Sequence, residues 1–377
     1  MVNPPEQPMT TSLRPIRVLV AGRAPVGSGI ADKMSGIARA LESAGCDVVL
    51  SLSADAGGTG SRSLRRGIRR PGFDVVYVRQ DYALLPLLPW FLGRRLRGRK
   101  NVLDIPTPMS SAIHETEHLR SAPIRGLAKR VTQSLMAPFL WWTFGVLITY
   151  GPEMSGWARL GNARRIRLVG NGIDVNSRPI RRVPPPPGAK APIRLLGIGV
   201  LHDAHGLDRL LLALSATDDG TAAPVEIIAT GAASPTKTHI EALVQDLGLQ
   251  ASVQLREEVC GASMGQLFDW AHAGIGVLAP HRKGLEKLSA LKHREYLARG
   301  LPFLYAGRDT ALVGDEYFAL QVPNDESPLE LDPILAWVRR VSSGQSVAND
   351  CRDFALKHMT VEAQILPDVL NDTRRRR

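Results

Sequence analysis

The 377-residue sequence predicts two consecutive α/β domains, each built on a parallel β-sheet. Short, almost wholly apolar runs alternate with segments of helical spacing, the pattern of strands buried on both faces and joined by crossover helices. The alternation breaks at the four prolines 184–187 and then restarts. The length itself suits two domains, at roughly 100–200 residues each.

In the first half, "IRVLVAG" (Ile16 to Gly22) is the first strand, bounded by Pro15 and a glycine-rich loop. "KMSGIARALESAG" follows with Ile37, Ala40 and Leu41 at helical spacing and Gly45 as its stop. "DVVLSL", "FDVVYVRQ", "KNVLDIP" and "VLITYG" are further strands at intervals suited to crossovers. "NSRPIRRVPPPPGAKAP" (Asn176 to Pro192) is a stiff connection, since consecutive prolines cannot lie in a helix or a central strand. Beyond it, "IRLLGIGV", "VEIIATG", "SVQLRE", "IGVLAP" and "LPFLYAG" read as strands. "HGLDRLLLALSA", "HIEALVQDLGL" and "MGQLFDWAHAG" read as the helices between them. "RDFALKHMTVEAQILPDVL" reads as helical up to Pro367, and "RRRR" as a frayed basic tail. The expected division is a first domain at 1–178, a linker at 179–192, a second domain at 193–350, and a terminal helix and tail at 351–377, the helix being a candidate to cross back to the first domain.

Composition is that of a globular protein, 44% hydrophobic and 22% charged. Cys46, Cys260 and Cys351 are too few and too scattered for a disulfide framework or a zinc site, which suits a reducing cytoplasm. The N-terminus lacks the order of a signal peptide, and "APFLWWTFGVLITYG" is shorter than the ~20 residues of a membrane span. The net charge of +11 is unevenly spread: residues 1–175 hold 24 Lys+Arg against 12 Asp+Glu, the remainder 23 against 24. That asymmetry suggests an anionic surface facing the first half, or else solvated basic loops. "SLRRGIRR" and "FLGRRLRGRK" mix arginine with apolar residues, as suits an anionic membrane. Nucleic acid is disfavoured by the absence of a binding module and by only 5% aromatic residues.

The stretch "HRKGLEKLSALKHREYLARGLPFLYAG" (His281 to Gly307) sets a highly charged helix before an apolar strand. Ser289 is its expected N-cap, Gly300 its stop, and Pro302 prevents continuation. At about 100° per residue, Lys292, Glu295 and Arg299 fall within roughly 60° of one another. Arg282, Lys283 and Gly284 occupy the loop after a strand, where ligands of open α/β sheets bind. Helix-start amides with Arg282, Lys283 or Lys292 suit a diphosphate, and a carboxylate one turn on suits ribose hydroxyls. Surface pairs Lys292–Glu295 and Glu295–Arg299 are the competing reading, and geometry alone leaves both open.

"SALKHREYLARGLPFLYAG" resembles the S-P-L-K-x-x-E-Y-L-A-x-G-x-P segment of nucleotide-sugar glycosyltransferases of the GT-B fold, in the retaining group-1 or family-4 type. "VGNGIDV" resembles the family's N-G-[VI]-D turn and "HGLDRLLLAL" its K/H-G-x-D-x-L-x-x-A helix. "LDIPTP" resembles the E-I-P-T segment of a capsular or exopolysaccharide-assembly subgroup. The resemblance covers essentially the whole chain. It implies two Rossmann-like domains facing a central cleft, with acceptor bound by the first and donor by the second. Glu295 would then hold the donor ribose, with Lys292 and Arg282 facing the diphosphate. It also implies transfer of a hexose-type sugar, with retention, to a saccharide or lipid-linked acceptor. Such an enzyme would be cytoplasmic and peripheral to the inner face of the membrane, with no cofactor beyond its nucleotide-sugar substrate and no metal. The sequence departs from the family pattern in two places. Lys287 stands where many relatives carry a first glutamate. Val200 and His205 stand where many carry arginine and lysine, so His205 joins the donor-binding candidates. A nucleotide-sugar epimerase of the same fold, or a non-catalytic nucleotide-sugar-binding scaffold, are the alternatives.

In the first domain, Gly22, Gly27 and Gly29 follow the first strand, but a G-x-G-x-x-G reading puts Asp32 at the third glycine and the dinucleotide fingerprint fails. The resemblance places Gly27 and Gly29 beside the donor phosphates. Asp104, after "NVL", is the candidate catalytic residue, as base or as orienter of an acceptor hydroxyl; a capping role is the alternative. His114, Glu115 and Glu117 lack a completing ligand and read as solvated helix residues.

Overall fold

A computed structural model of the protein describes residues 14–24, 28–54, 58–105, 138–150, 166–188, 191–216, 224–259, 261–342 and 344–374. The first domain contains β1 (Arg17–Arg23), β2 (Asp47–Ser53), β3 (Val75–Arg79), β4 (Lys100–Ile105), β5 (Val146–Thr149) and β6 (Ile166–Leu168). They form one parallel sheet in the order β2-β1-β3-β4-β5-β6. Helices α1 (Gly29–Ser43), α2 (Gly58–Ile68) and α3 (Leu88–Leu96), with helical residues 138–142, connect the strands. The central strands are buried on both faces, which explains why they read as unbroken apolar runs. One face carries Val18, Val20 and Tyr77 beneath α1, and the other Leu19, Val76 and Leu103 beneath α2 and α3.

The second domain repeats the plan with β7 (Ile193–Ile198), β8 (Val225–Thr230), β9 (Val253–Arg256), β10 (Ala273–Ile275), β12 (Phe303–Ala306) and β14 (Ala319–Val322). Their order is β9-β8-β7-β10-β12-β14, parallel throughout. Two-residue strands β11 (Lys287–Leu288) and β13 (Arg308–Asp309) pair outside this sheet. The helices are α4 (Leu207–Ala216), α5 (Pro235–Asp246), α6 (Gly261–Trp270), α7 (Leu291–Ala298), α8 (Leu331–Val341) and α9 (Gln345–His358). From β7 the chain adds strands in one direction, and from β10 in the other. The switch point therefore lies between the carboxyl ends of β7 and β10.

The proline-rich connection is docked on the second domain rather than spanning open solvent. Arg181 is buried and donates from Nε to the Gly300 carbonyl at 2.9 Å, and the Arg182 amide donates to Asp269 at 2.8 Å. After α9 the chain returns to the first domain through α10 (Val361–Gln364) and α11 (Leu366–Arg374). Val361, Ile365 and Val369 enter the core beneath α1, each contributing on the order of 1.5–3 kcal/mol by burial. Gly172 makes this close approach possible: a Cβ there would lie 2.6 Å from the Val361 Cα. The single helix expected up to Pro367 is thus three helices. Pro367 sits in the first turn of α11, where its missing N–H costs no helical bond.

Candidate functional site

At the switch point, the loop after β7 forms a 3-10 turn over Asp203–His205, and the loop after β10 forms another over Pro280–Lys283. The two are stitched together by amides of Leu278 and Ala279 donating to the carbonyls of His205 and Ala204, both at 3.0 Å. Helix α7 starts nearby. Its N-cap is Ala290, not Ser289, and no side chain caps its first amides. Ser289 is committed elsewhere: its Oγ accepts from the Asn171 amide at 2.6 Å, and its carbonyl accepts from the Asn171 side chain. The NGID turn competes successfully for the hydroxyl that local sequence assigns to the cap.

Lys292, in the first turn of α7, makes no ion pair or side-chain hydrogen bond among the described residues. Desolvation alone brings its pKa from 10.5 down to about 7. No carboxylate contributes to that value. His205 is likewise held well below the ordinary histidine value, first by burial and then by Lys292, His202 and Lys283. Its Nδ1 is buried without a partner. The His202 ring meets it edge-on at 5.5 Å. These neighbours form a cluster in which the surrounding basic groups disfavour charge on His205. With the uncapped α7 amides, such a cluster has the chemistry to receive an anion.

Arg282 is not part of that surface. Its guanidinium is bidentate to Asp208, at 2.9 and 2.7 Å, and also grips Glu326 at 2.7 and 2.8 Å. Those carboxylates hold its pKa above the ordinary arginine value. It clamps the β10 loop to α4, and its guanidinium is committed to those two carboxylates rather than held open for the diphosphate expected of it. Lys283 is half-buried and close enough to lower the pKa of His205, and Gly284 ends the turn at a φ of 65°.

Glu295, one turn beyond Lys292, lies at the seam between the domains. Arg178, just before the proline-rich run, donates from Nε to Glu295 at 2.8 Å and from Nη2 to Asp32 of α1 at 2.9 Å. Arg299 takes the other Glu295 oxygen at 2.6 Å. Of the two surface pairs considered, Glu295–Arg299 exists. Lys292 instead lies near enough to His205 to lower its pKa. The acid is neither sealed nor turned from the first domain: its side chain keeps 19% of its accessible surface. Beneath it, Arg294 and His293 are fully buried on Asp309, whose carboxyl they hold well below the usual range against the upward push of burial. That cluster ties α7 to β13 and, through Arg294 Nε to the Asn171 carbonyl at 3.2 Å, to the NGID turn.

Asp104 does not face open space. It is completely buried, with Lys33 Nζ at 2.8 Å from Oδ2. The same ammonium reaches the Tyr150 hydroxyl at 2.5 Å and lies 4.1 Å from that ring's centroid. Burial pushes the Asp104 carboxyl up, but Lys33 and Arg79 outweigh it and hold the pKa below the usual value. Burial also brings Lys33 down, to about 8, so both partners are charged at neutral pH. An ionised, enclosed carboxylate fits a structural pair better than an acceptor-facing base. Gly29 opens α1, and Ser28 caps it by accepting from the Ala31 amide at 3.2 Å. Gly27, His114, Glu115 and Glu117 lie outside the described residues. Among the described residues no group of three His, Cys, Asp or Glu side chains is placed to hold a metal, and no helix is long and apolar enough to cross a membrane.

Sequence reasoning missed Lys33, Arg178 and His202. Lys33 sits in an amphipathic helix 71 residues from its partner, and no local pattern marks it. Arg178 was subsumed in the linker. His202 had a legible signal, being the first histidine of "HDAH" just after a strand.

No protein-family model and no curated protein matches the sequence. Solved structures do match in fold. Sucrose-phosphate synthase from Thermosynechococcus elongatus superposes with a TM-score of 0.64 at 13% identity, covering 96% of this chain and 98% of that one. Anabaena HepE in complex with UDP gives 0.57 at 15% identity, covering 96% and 99%. AviGT4, a glycosyltransferase of avilamycin A biosynthesis, gives 0.57 at 15% identity, covering 96% of each chain. The fold is GT-B: two Rossmann-like α/β domains, each on a six-stranded parallel sheet.

Proposed function

We propose that the protein is a glycosyltransferase that moves a hexose-type sugar, with retention, from a nucleotide diphosphate donor to a saccharide or lipid-linked acceptor. The observation that carries this reading is the uncompensated basic cluster of Lys292 and His205 at the β7–β10 switch point, beside the open amides of α7. A diphosphate supplies the missing negative charge. As the glycosidic bond breaks, charge builds on the leaving diphosphate, where fixed N–H groups and the Lys292 ammonium stabilise it. Glu295, held by Arg178 and Arg299, retains lone pairs for the ribose hydroxyls. HepE, a neighbour in fold, has been solved with UDP-glucose, so uridine donors are the first to test. A lipid-anchored acceptor would be met by the enzyme working peripherally at the cytoplasmic face of a membrane.

The test is calorimetric titration with UDP-, GDP- and dTDP-sugars, followed by product analysis with saccharide acceptors. One donor series should bind, Lys292→Met should weaken it, and a glycosylated product should form. Failure of every nucleotide sugar to bind would refute the assignment.

A further inference from the structure

The amino-terminal edge of the first sheet gathers features that the donor site does not use. Helix α2 runs into β3, α3 into β4, and helical residues 138–142 into β5. These strands are consecutive neighbours in the sheet, and all three helices pack on the same face of it. Their carboxyl ends therefore meet along one rim. There Leu96 is 80% exposed, Phe139 64% and Trp142 50%. Arg69, Arg70 and Arg97 are exposed beside them, with no ion pair among the described residues. Arg95 stacks on Trp142 at 4.9 Å from the ring centroid and donates to its carbonyl, joining the α3 end to helix 138–142. Asp74, the acid at this rim, is already paired with Arg14 and Arg99. Arg94, though part of the same basic run, is buried and holds Asn101 and the Phe73 carbonyl, so it does not contribute.

We infer that this rim is a docking surface for an anionic lipid bilayer. Exposed aromatic and aliphatic side chains interleaved with arginines suit the headgroup boundary, where apolar groups enter and cations meet lipid phosphates. A second copy fits poorly, because a two-fold contact would set the arginines against themselves. Nucleic acid would use the arginines but leave Leu96 and Phe139 unexplained. The carboxyl ends of the strands, where a substrate of this fold binds, lie at the other edge of the sheet. By strand rise, the six-residue β4 separates the two edges by about 20 Å. Docked by the rim, the protein would hold its cleft above the lipid and reach an acceptor through an extended saccharide rather than at its lipid end.

The full-length protein is mixed with phosphatidylcholine vesicles with and without phosphatidylglycerol, and partition is read by flotation and tryptophan emission. Binding should require phosphatidylglycerol and fall with salt. It should drop roughly fivefold for each positive charge removed, read with Arg97→Gln. It should also be lost in Leu96→Ser/Phe139→Ser with the far-ultraviolet circular dichroism unchanged. The emission blue shift should vanish in Trp142→Phe. Equal binding to neutral vesicles, no vesicle binding, a dimer abolished by Phe139→Ser, or preference for nucleic acid over vesicles would overturn the proposal. The rim is remote from Lys292, so loss of donor binding with vesicle binding intact would count against the proposed function alone.

Discussion

Lys292 makes the donor assignment measurable as a proton count. Its ammonium titrates near 7 in the free protein because nothing in the fold supports the charge. A nucleotide sugar carries two phosphates that stay ionised between pH 6 and 8. Seating them beside Lys292 should restore its pKa toward 10.5. At pH 8 about one tenth of the free protein holds that proton, so binding should take up roughly 0.9 proton; at pH 6 it should take up about 0.1. Calorimetry in two non-phosphate buffers of different ionisation enthalpy gives the count directly. Lys292→Met should abolish the uptake at pH 8 and weaken binding by about 1.5–3 kcal/mol, the worth of hydrogen bonds to a charged group. The same substitution should stabilise the free protein. Between pH 7 and 10.5 the unfolded chain holds a proton that the folded chain lacks, so stability rises with pH across that window and the full cost is present below it. That cost is about 5 kcal/mol at 1.36 kcal/mol per pH unit, and solvent around a half-buried side chain screens it to ~2–3 kcal/mol. Denaturant titration should therefore show Lys292→Met more stable than the parent at pH 6.5 and little different near pH 10.5. An uptake below about 0.3 proton at pH 8, or one that survives Lys292→Met, would refute the reasoning.

Asp104→Asn leaves the Lys33 ammonium enclosed without its counter-charge and should cost about 3–5 kcal/mol, read by denaturant titration at pH 7. Replacing both partners together, Lys33→Met with Asp104→Leu, should cost much less, since no unpaired charge stays buried. Gly172→Ala drives a methyl into the Val361 backbone and should detach α10 and α11 from the first domain; a lowered Tm and faster proteolysis after α9 would report it. Arg178→Ala cuts the bridge from Asp32 to Glu295 but leaves Arg299 in place, so folding should change by no more than about 1–2 kcal/mol while the donor KM rises. Asp309→Ala strands Arg294 and should cost about 3–5 kcal/mol, and the parent should lose stability in acid as the depressed Asp309 carboxyl protonates.

The fold was legible because parallel strands covered on both faces leave unbroken apolar runs, as the eight central strands do, and the edge strands β2 and β9 keep enough apolar residues to be read with them. The strands that went unread are those lacking that signature. β6 and β14 lie at sheet edges, are three and four residues long, and are largely exposed; β11 and β13 are two residues each. The helix carrying Lys292 and Glu295 was also legible, since Gly300 stops it at a φ of 79° and Pro302 follows. What local pattern could not supply was the partner of each polar side chain. Ser289 has the spacing of a cap, yet Asn171 claims it from 118 residues away. Asp104 sits where a catalytic acid would, yet Lys33 encloses it.

The basic residues near the switch point show why partner choice decides their roles. Arg282, Lys292 and Arg294 all lie in the stretch from 282 to 294, and all have the residue type expected at a diphosphate. The fold gives Arg282 two carboxylates and gives Arg294 the buried Asp309, so both have exchanged solvation for a fixed counter-charge. Withdrawing either would leave an acid exposed to repulsion or burial, which is a structural task. Lys292 has been desolvated without that compensation, and the neighbouring His205 Nδ1 is left unpaired. A fold keeps such a destabilising group where something other than folding repays its cost. A cation at a strand-end loop is a candidate binding residue when the protein withholds its counter-ion, and by that criterion the proposed donor phosphates are assigned to Lys292 rather than to Arg282, which already holds two carboxylates.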